Sequence, residues 1–507
     1  MSELLPGDQL HSFPGGLKLR HHKQVSCQQP MARSSLPDHL YLPLVQHQGP
    51  PGKLLVSPGE SVLKGQPLTT AEDDSQVPIH APTSGTILAV DQLHPVSWPP
   101  GSRAACVVLA PDGDDRQASF EPLADTRPDA VVDHLNRLGL AGLGGAVFPT
   151  AAKLRGDWPG LHTVIINGAE CEPWISCDEM LMRERTEAII SGGVILARTV
   201  GASQVVIALE DRMGTVEAKF ARCLREQPPA LPVKLRQVTT IYPEGGERQL
   251  IQVLTGREVP HQGLPQDLGV VCHNVATAAA VHDAVIEGKP LIERVVTVTG
   301  PGIAQPRNFI AALGTPIAHL VAQAGGYTGP ITRLVLGGPM SGLALASDEI
   351  PVAKGTICIL ALTEDVLSRR QSEMPCINCG ECVRVCPASL LPQQIFRHLA
   401  ADNLAAAERL NLSACIECGC CAQVCPSHIP LVEHYRHGKH QLIVRQLDQR
   451  RAALARRRHE AREQRLVRER AERQARRAER KKRLSEPEQA RDEIQAALER
   501  ARRKQKP

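Results

Sequence analysis

The chain contains two cysteine runs of one design, Cys376, Cys379, Cys382, Cys386 and Cys415, Cys418, Cys421, Cys425. Each reads C-x2-C-x2-C-x3-C-P and is closed by a proline, Pro387 or Pro426. Three thiolates on one tight loop wrap one corner of an iron–sulfur cube, and the fourth, carried away on the next helix, reaches the other cube. The spacing therefore predicts one [4Fe–4S] cluster on Cys376, Cys379, Cys382 and Cys425, and a second on Cys415, Cys418, Cys421 and Cys386. Such a pair moves single electrons. Zinc sites use two C-x2-C pairs or Cys/His mixtures, and disulfide frameworks belong to short secreted chains. Neither matches a repeated unit within 507 residues. Cys420 sits inside the second run but off its register and is expected to pack beside the cluster.

The length suits several domains, and an apolar content of 42% supplies a sizeable core. The other cysteines are scattered, as reduced thiols would be. No apolar run reaches the roughly 18 residues needed to span a bilayer. No basic-then-apolar leader opens the chain. The expectation is a soluble, intracellular protein that docks on a membrane through partners. Net charge is only +4, yet residues 441–507 are strongly basic and leave an acidic body. This tail favours helix but has too few apolar residues for a coiled-coil seam. Its charge suits anionic lipids or acidic partners as well as plain solvation. It has no aromatic residue to stack on bases, so nucleic acid is not an expected partner.

The pattern along the chain divides it into six stretches. Residues 1–36 read as an extended arm. Residues 37–125 alternate short β-rich runs with Gly/Pro turns, as in a small barrel-sandwich. They resemble the biotinyl/lipoyl type of module, but the tip Glu72-Asp73-Asp74-Ser75 lacks the carrier lysine, so a swinging arm is not expected. Residues 126–290 alternate helix and strand, an α/β signature. Here Thr163–Ile166 is a predicted strand, and a predicted helix starts near Thr150. Residues 291–365 read as a small α+β unit. Residues 366–435 form the cysteine-rich module, with a predicted helix over Ala401–Leu410. Residues 436–507 are the basic tail. His434, His437 and His440 lack a cysteine or carboxylate to complete a metal set and are read as solvated.

A second chemical site lies in the α/β stretch. Gly142-Leu-Gly-Gly-Ala-Val-Phe-Pro-Thr150 with Lys153 is glycine-rich, so backbone N–H groups can approach a phosphate closely. It is not the ATP-binding G-x-x-x-x-G-K-[ST] loop. Asn167-Gly-Ala-Glu-Cys-Glu-Pro173 follows the predicted strand, at the strand end where open α/β sheets bind ligands.

Together these stretches resemble the NADH-oxidising flavoprotein subunit of respiratory complex I, whose pattern is G-x-G-G-A-x-F-P-T-x-x-K followed by N-A-D-E-x-E-P. Tyr242-Pro-Glu-Gly-Gly-Glu-Arg248 and Asn274-Val-Ala-Thr277 continue it in order. Residues 291–345 look like the β-grasp domain of that subunit. The whole order is similar to the C subunits of Rnf/Rsx ion-translocating electron transport complexes. The resemblance implies a multidomain α/β and α+β chain: a barrel-sandwich β module, a Rossmann-like FMN/NADH domain, a β-grasp domain, a two-cluster ferredoxin-like helical module, and a charged helical or disordered tail.

The resemblance also implies a non-covalent FMN. Gly142, Gly144, Gly145 and Lys153 would hold its phosphate and ring edge. Asn167, Asn274 and Thr277 would bond its ring and ribityl groups, and Phe148 would stack on the nicotinamide. Glu170, Glu172 and Glu247 match acidic positions lining the NADH pocket. One departure stands out. The family's Gly-Glu-Glu reads Gly246-Glu247-Arg248 here, a charge reversal expected to change how a dinucleotide's ribose or phosphate is held.

The implied function is a peripheral subunit at the cytoplasmic face of the bacterial inner membrane. It would carry electrons between NADH and ferredoxin-type carriers through FMN and two [4Fe–4S] clusters, with membrane subunits as partners. Arg248 and Val147 leave open a non-enzymatic relay with a degenerate NADH site. A soluble dehydrogenase for a small substrate lacks a visible substrate site.

Overall fold

The computed structural model describes residues 10–97, 102–156, 158–261, 263–367, 372–485 and 487–504. The alternating stretch becomes a four-stranded parallel sheet. Its spatial order is Val233–Val238, Gln204–Glu210, Thr163–Gly168, Val270–Asn274. The chain thus lays its first three strands in one direction, then returns to place the fourth beside the first. The central strands are apolar on both faces because helices cover both. Helices Thr186–Thr199 and Val275–Ile286 pack tightly on each other. Gly192 permits the approach, since a Cβ there would lie 1.8 Å from the Ala278 carbonyl oxygen.

Ahead of this domain, Leu40–Pro43, Arg103–Pro111, Gly85–Pro95 and Ser61–Val62 form an antiparallel sheet. A two-stranded ribbon, Lys53–Leu54 with Thr69–Thr70, completes the module. Its acidic tip turns toward the α/β domain. The Asp74 carboxylate accepts from Arg155 Nε at 2.6 Å and Nη2 at 3.0 Å.

After the α/β domain comes a six-stranded mixed sheet. Its order is Ala32–Arg33, Arg307–Ala312, Glu293–Thr299, Cys358–Leu362, Arg333–Leu336, Leu343–Leu345, with helix Ile317–Gln323 against it. Its core is continuous with that of the β module, where Leu40, Leu42 and Leu109 join Phe309, Leu313 and Leu320. Each such burial contributes about 1.5–3 kcal/mol, so the two modules hold each other.

Three sequence readings need correction. The arm is not free: Lys23 and Ser26 are buried, and Ala32–Arg33 adds a parallel edge strand beside Arg307–Ala312. The helix expected over Ala401–Leu410 is shorter, Leu404–Arg409, and a further helix, Pro392–Ala400, precedes it. Asp402 turns left-handed between them, and the Asn403 side chain caps Leu404–Arg409 by accepting from the Ala406 amide. The boundary set at 435/436 falls inside one helix, Leu431–Ser485. Its first turns bury Tyr435 and Leu442 in the cysteine-rich module, and its remainder runs out exposed. A second tail helix, Pro487–Lys504, follows. Among the described residues, no helix is long and apolar enough to cross a membrane.

Candidate functional site

The eight predicted cysteine ligands surround two small cavities. Cys376, Cys379, Cys382 and Cys425 line one, beside Gln393 and Phe396. Cys386, Cys415, Cys418 and Cys421 line the other, beside Ile416 and Tyr435. Each cavity takes three thiols from one run and the fourth from the other. The two loops share a backbone. Left-handed residues recur at matching places, Asn378, Gly380 and Ser389 in the first and Glu417, Gly419 and His428 in the second. These turns curl three thiols around a common point. Four soft thiol donors in an apolar-walled cavity fit an iron–sulfur cube.

The flavin-type residues gather where the parallel sheet reverses its strand order. Asn167 and Asn274 end the first and fourth strands and lie side by side in register. Asn167 Nδ2 donates to the Gly245 carbonyl at 2.8 Å, and its Oδ1 accepts from the Ala169 amide at 3.0 Å. Asn274 caps helix Val275–Ile286 by accepting from the Ala276 amide at 2.8 Å, and donates to Asp178 at 2.5 Å. The glycine loop arches over this end. Gly142 N–H donates to the Phe148 carbonyl at 2.8 Å, closing the loop, and Leu143 N–H donates to Thr277 Oγ1 at 2.9 Å. Gly144 lies against Asn274, where a Cβ would approach the Asn274 Cβ to 3.2 Å. Gly145 has φ +97° and open space where a side chain would be. Phe148 is 44% exposed. A glycine-rich loop over a strand end, with two asparagines and an exposed aromatic ring beside it, fits a flat, phosphorylated ring system.

Lys153 and Glu247 come together as an ion pair at 2.6 Å, and Lys153 Nζ also donates to the Cys272 carbonyl at 2.6 Å. The helix predicted to start near Thr150 runs only over Thr150–Leu154, too short for a substantial dipole. Glu170 and Glu172 are held by the protein itself. Glu170 is buried, accepts from the Asp178 and Glu179 amides at the start of helix Cys177–Glu184, and pairs with Lys23 at 3.3 Å. Glu172 accepts from the Met340 amide at 2.8 Å and from the Ser341 amide and hydroxyl. Burial raises its carboxyl above the usual range. Arg248 does not project its charge at the groove, because its guanidinium donates to the Val259, Pro260 and Gly263 carbonyls.

Asp178, in the first turn of helix Cys177–Glu184, faces Asn274. Burial, then the neighbouring Glu170 carboxylate, raise its carboxyl. Three further residues carried no sequence signal. Arg294 is buried and donates to the Leu143 carbonyl and, at 3.2 Å, to that of Thr356. Gln48 reaches the loop from the β module, and Lys354 is buried where three modules meet.

A buried contact joins the groove to the second cysteine cavity. Gly245, bound by Asn167, donates its N–H to Cys171 Sγ at 3.3 Å. Cys171 packs with Tyr242 and Cys420, and the Tyr242 hydroxyl donates to the Cys418 carbonyl at 2.7 Å. Cys420 is thus a packed neighbour, as expected. Beside the other cavity, Ile377 is 67% exposed and Cys379 is exposed.

Family models match this architecture in order. They are the RnfC barrel sandwich hybrid domain over 11–114, the Nuo51 FMN-binding domain over 135–283, the SLBB domain over 295–344 and the 4Fe-4S dicluster domain over 369–447. The chain is therefore a multidomain protein of mixed α/β structure with FMN and [4Fe–4S] clusters as cofactors. Relatives described as the C subunit of the ion-translocating oxidoreductase complex are 45% identical over 460 residues in Edwardsiella ictaluri and in Yersinia pestis. Those matches cover 90% of this chain, with 57% of the first relative and 73% of the second. A Pseudomonas aeruginosa relative is 43% identical over 457 residues, covering 89% of this chain and 58% of its own. The chain belongs to the family of C subunits of ion-translocating oxidoreductase complexes. It spans less than two thirds of the length of the Edwardsiella ictaluri and Erwinia tasmaniensis relatives. Among solved structures, a chain of an NAD+-reducing [NiFe]-hydrogenase in the H2-reduced state overlaps 62% of each chain, with a TM-score of 0.42 and 22% identity.

Proposed function

We propose that this chain is the NADH-oxidising, peripheral subunit of a membrane-bound ion-translocating electron transport complex. In this reading it works at the cytoplasmic face of the inner membrane and exchanges electrons between NADH and ferredoxin-type carriers. The observation that carries the reading is the buried Cys171–Tyr242–Cys420 contact, which puts the groove and a cysteine cavity on one continuous packed path. FMN, when bound, exchanges electron pairs with a nicotinamide and single electrons with iron–sulfur clusters. The loop glycines Gly142, Gly144 and Gly145 leave room for close backbone approach, and Lys153 supplies a cation at the phosphate end. Asn167, Asn274 and Thr277 fix the orientation of the ring and ribityl groups. Phe148 offers its exposed ring to a nicotinamide. Glu247 pairs with Lys153 at the phosphate end. Glu170 and Glu172 act one step back, by fixing the loop that follows Asn167. The third domain takes the β-grasp form in this reading.

The test is anaerobic addition of NADH to the FMN-loaded chain, followed by flavin absorbance. Rapid bleaching is the expected result. Protein that retains FMN but does not bleach would instead make the chain a relay adaptor that never handles NADH.

A further inference from the structure

The β module lacks a carrier lysine, so its presence needs another explanation. Besides a contact at the far end of the domain, where the Leu123 amide donates to the Val285 carbonyl, its contacts to the α/β domain fall on both flanks of the glycine loop and on the loop itself. Gln48 N–H donates to the Val147 carbonyl at 3.1 Å, and Gln48 Nε2 donates to the Ala146 carbonyl at 2.8 Å. The tip residue Asp74 holds Arg155, just past helix Thr150–Leu154, by two hydrogen bonds. On the other flank, Lys354 Nζ donates at 2.7 Å to Pro78 of the β module and at 2.7 Å to Gly139, which precedes the loop. The Lys354 amide in turn donates to Gln46 Oε1 at 3.1 Å.

Between these anchors the loop takes a shape it would not choose alone. Val147 is β-branched yet sits at φ +46°, a region such residues avoid. Backbone of this kind persists only where surroundings over-determine it. Here the surroundings are Gln48 on the Val147 carbonyl and Gly355 against the Val147 side chain, with a built Cβ at Gly355 only 3.4 Å from Val147 Cγ1.

We infer that the lysine-less β module is a brace that holds the Gly142–Thr150 loop in its ligand-ready shape, with Gln48 and Asp74 as its positioning residues. The inference deepens the FMN reading of this loop and rests on it. It gives the module a role that needs no prosthetic group and no motion.

The test pairs hydrogen exchange of residues 142–149 with FMN titration of the full chain, for wild type, Gln48→Ala and Gln48→Ala/Asp74→Ala. Both substituted side chains belong to the β module. The single variant should bind FMN about fivefold more weakly and the double variant about tenfold or more, from the number of hydrogen bonds lost. Loop exchange should rise in the same order, with unchanged iron content. Adding Val147→Gly to Gln48→Ala should recover part of the affinity, because glycine adopts positive φ without strain. Unchanged exchange, or faster exchange with unchanged FMN affinity, would overturn the brace. Wild type that binds no FMN, while its loop still loosens in the variants, would sink the flavin reading and leave the mechanical coupling standing.

Discussion

The cluster loops around Cys376–Cys386 and Cys415–Cys425 take their shape chiefly from their own turns, with single outside bonds to the Val385 and Cys418 carbonyls, whereas the glycine loop at Gly142–Thr150 is held from outside. In the cluster loops, left-handed turns at Asn378, Gly380, Glu417 and Gly419 recur at fixed places within the runs, and each cavity is built almost wholly from its module. The glycine loop instead receives Gln48 from beyond its own domain, Arg294 from the next sheet, and Thr277 from a helix more than a hundred residues along the chain, while Lys354 holds Gly139 just ahead of it. A local motif can therefore specify a metal site by spacing alone. A flavin-type groove needs the tertiary structure to finish it.

The largest expected effect tests the self-contained half. Cys425→Ala and Cys376→Ala should each lose the same cluster and about half of the bound iron, while Cys386→Ala should lose the other cluster. Iron analysis with electron paramagnetic resonance separates these cases. If Cys386→Ala and Cys376→Ala abolished the same signal, crossed ligation would be wrong. Next comes the externally held half. Gly144→Val should clash with Asn274 and weaken FMN binding by about a hundredfold with full iron content. Loss of iron together with flavin would show that the two halves are not separable.

How far the sequence reached follows the same division. Cysteine spacing was enough to assign all eight thiols to their cavities, because three thiols of each four are close covalent neighbours and the fourth of each run is carried on to the other cavity. Asn167 was legible as a residue just past a predicted strand and Asn274 only through the resemblance, and their side-by-side register appears only once the sheet is assembled. Glu170 and Glu172 looked like pocket residues because motif position records chain order and not side-chain direction. Their partners, Lys23 and the Met340–Ser341 amides, lie far away in sequence. Arg248 misled in the same way, since the carbonyls that collect its charge belong to a loop with no motif. Lys354 and Gln48 had no signal at all, because a brace requires only reach and a donor.

A smaller effect probes the contact between the halves. Tyr242→Phe removes the hydroxyl whose proton points at the Cys418 carbonyl. With less positive charge near the cluster, its reduced form is less stabilised. The potential of the cluster on Cys386, Cys415, Cys418 and Cys421 should fall by on the order of tens of millivolts, and the other should not move. Redox titration of the two signals reads this directly, and equal shifts in both would contradict the contact.

The smallest effect concerns stability. Burial pushes the Lys354 ammonium down to about 7, so the unfolded chain holds a proton that the folded chain releases between pH 7 and the ordinary lysine range. Stability should therefore rise with pH across that window, by up to a few kcal/mol, with the cost fully present below pH 7. Lys354→Met should flatten that rise in denaturant melts. A variant that kept the full slope would place the titration elsewhere.

We propose one electron route on a single polypeptide, from the site at Asn167 and Asn274 through the Tyr242 contact to both clusters. Its most direct test is an anaerobic NADH titration of the reconstituted chain, read by low-temperature electron paramagnetic resonance. The account expects two reduced [4Fe–4S] signals to grow with added NADH, and neither to appear in Gly144→Val. Clusters that dithionite reduces but NADH leaves silent, in protein that retains FMN, would contradict it.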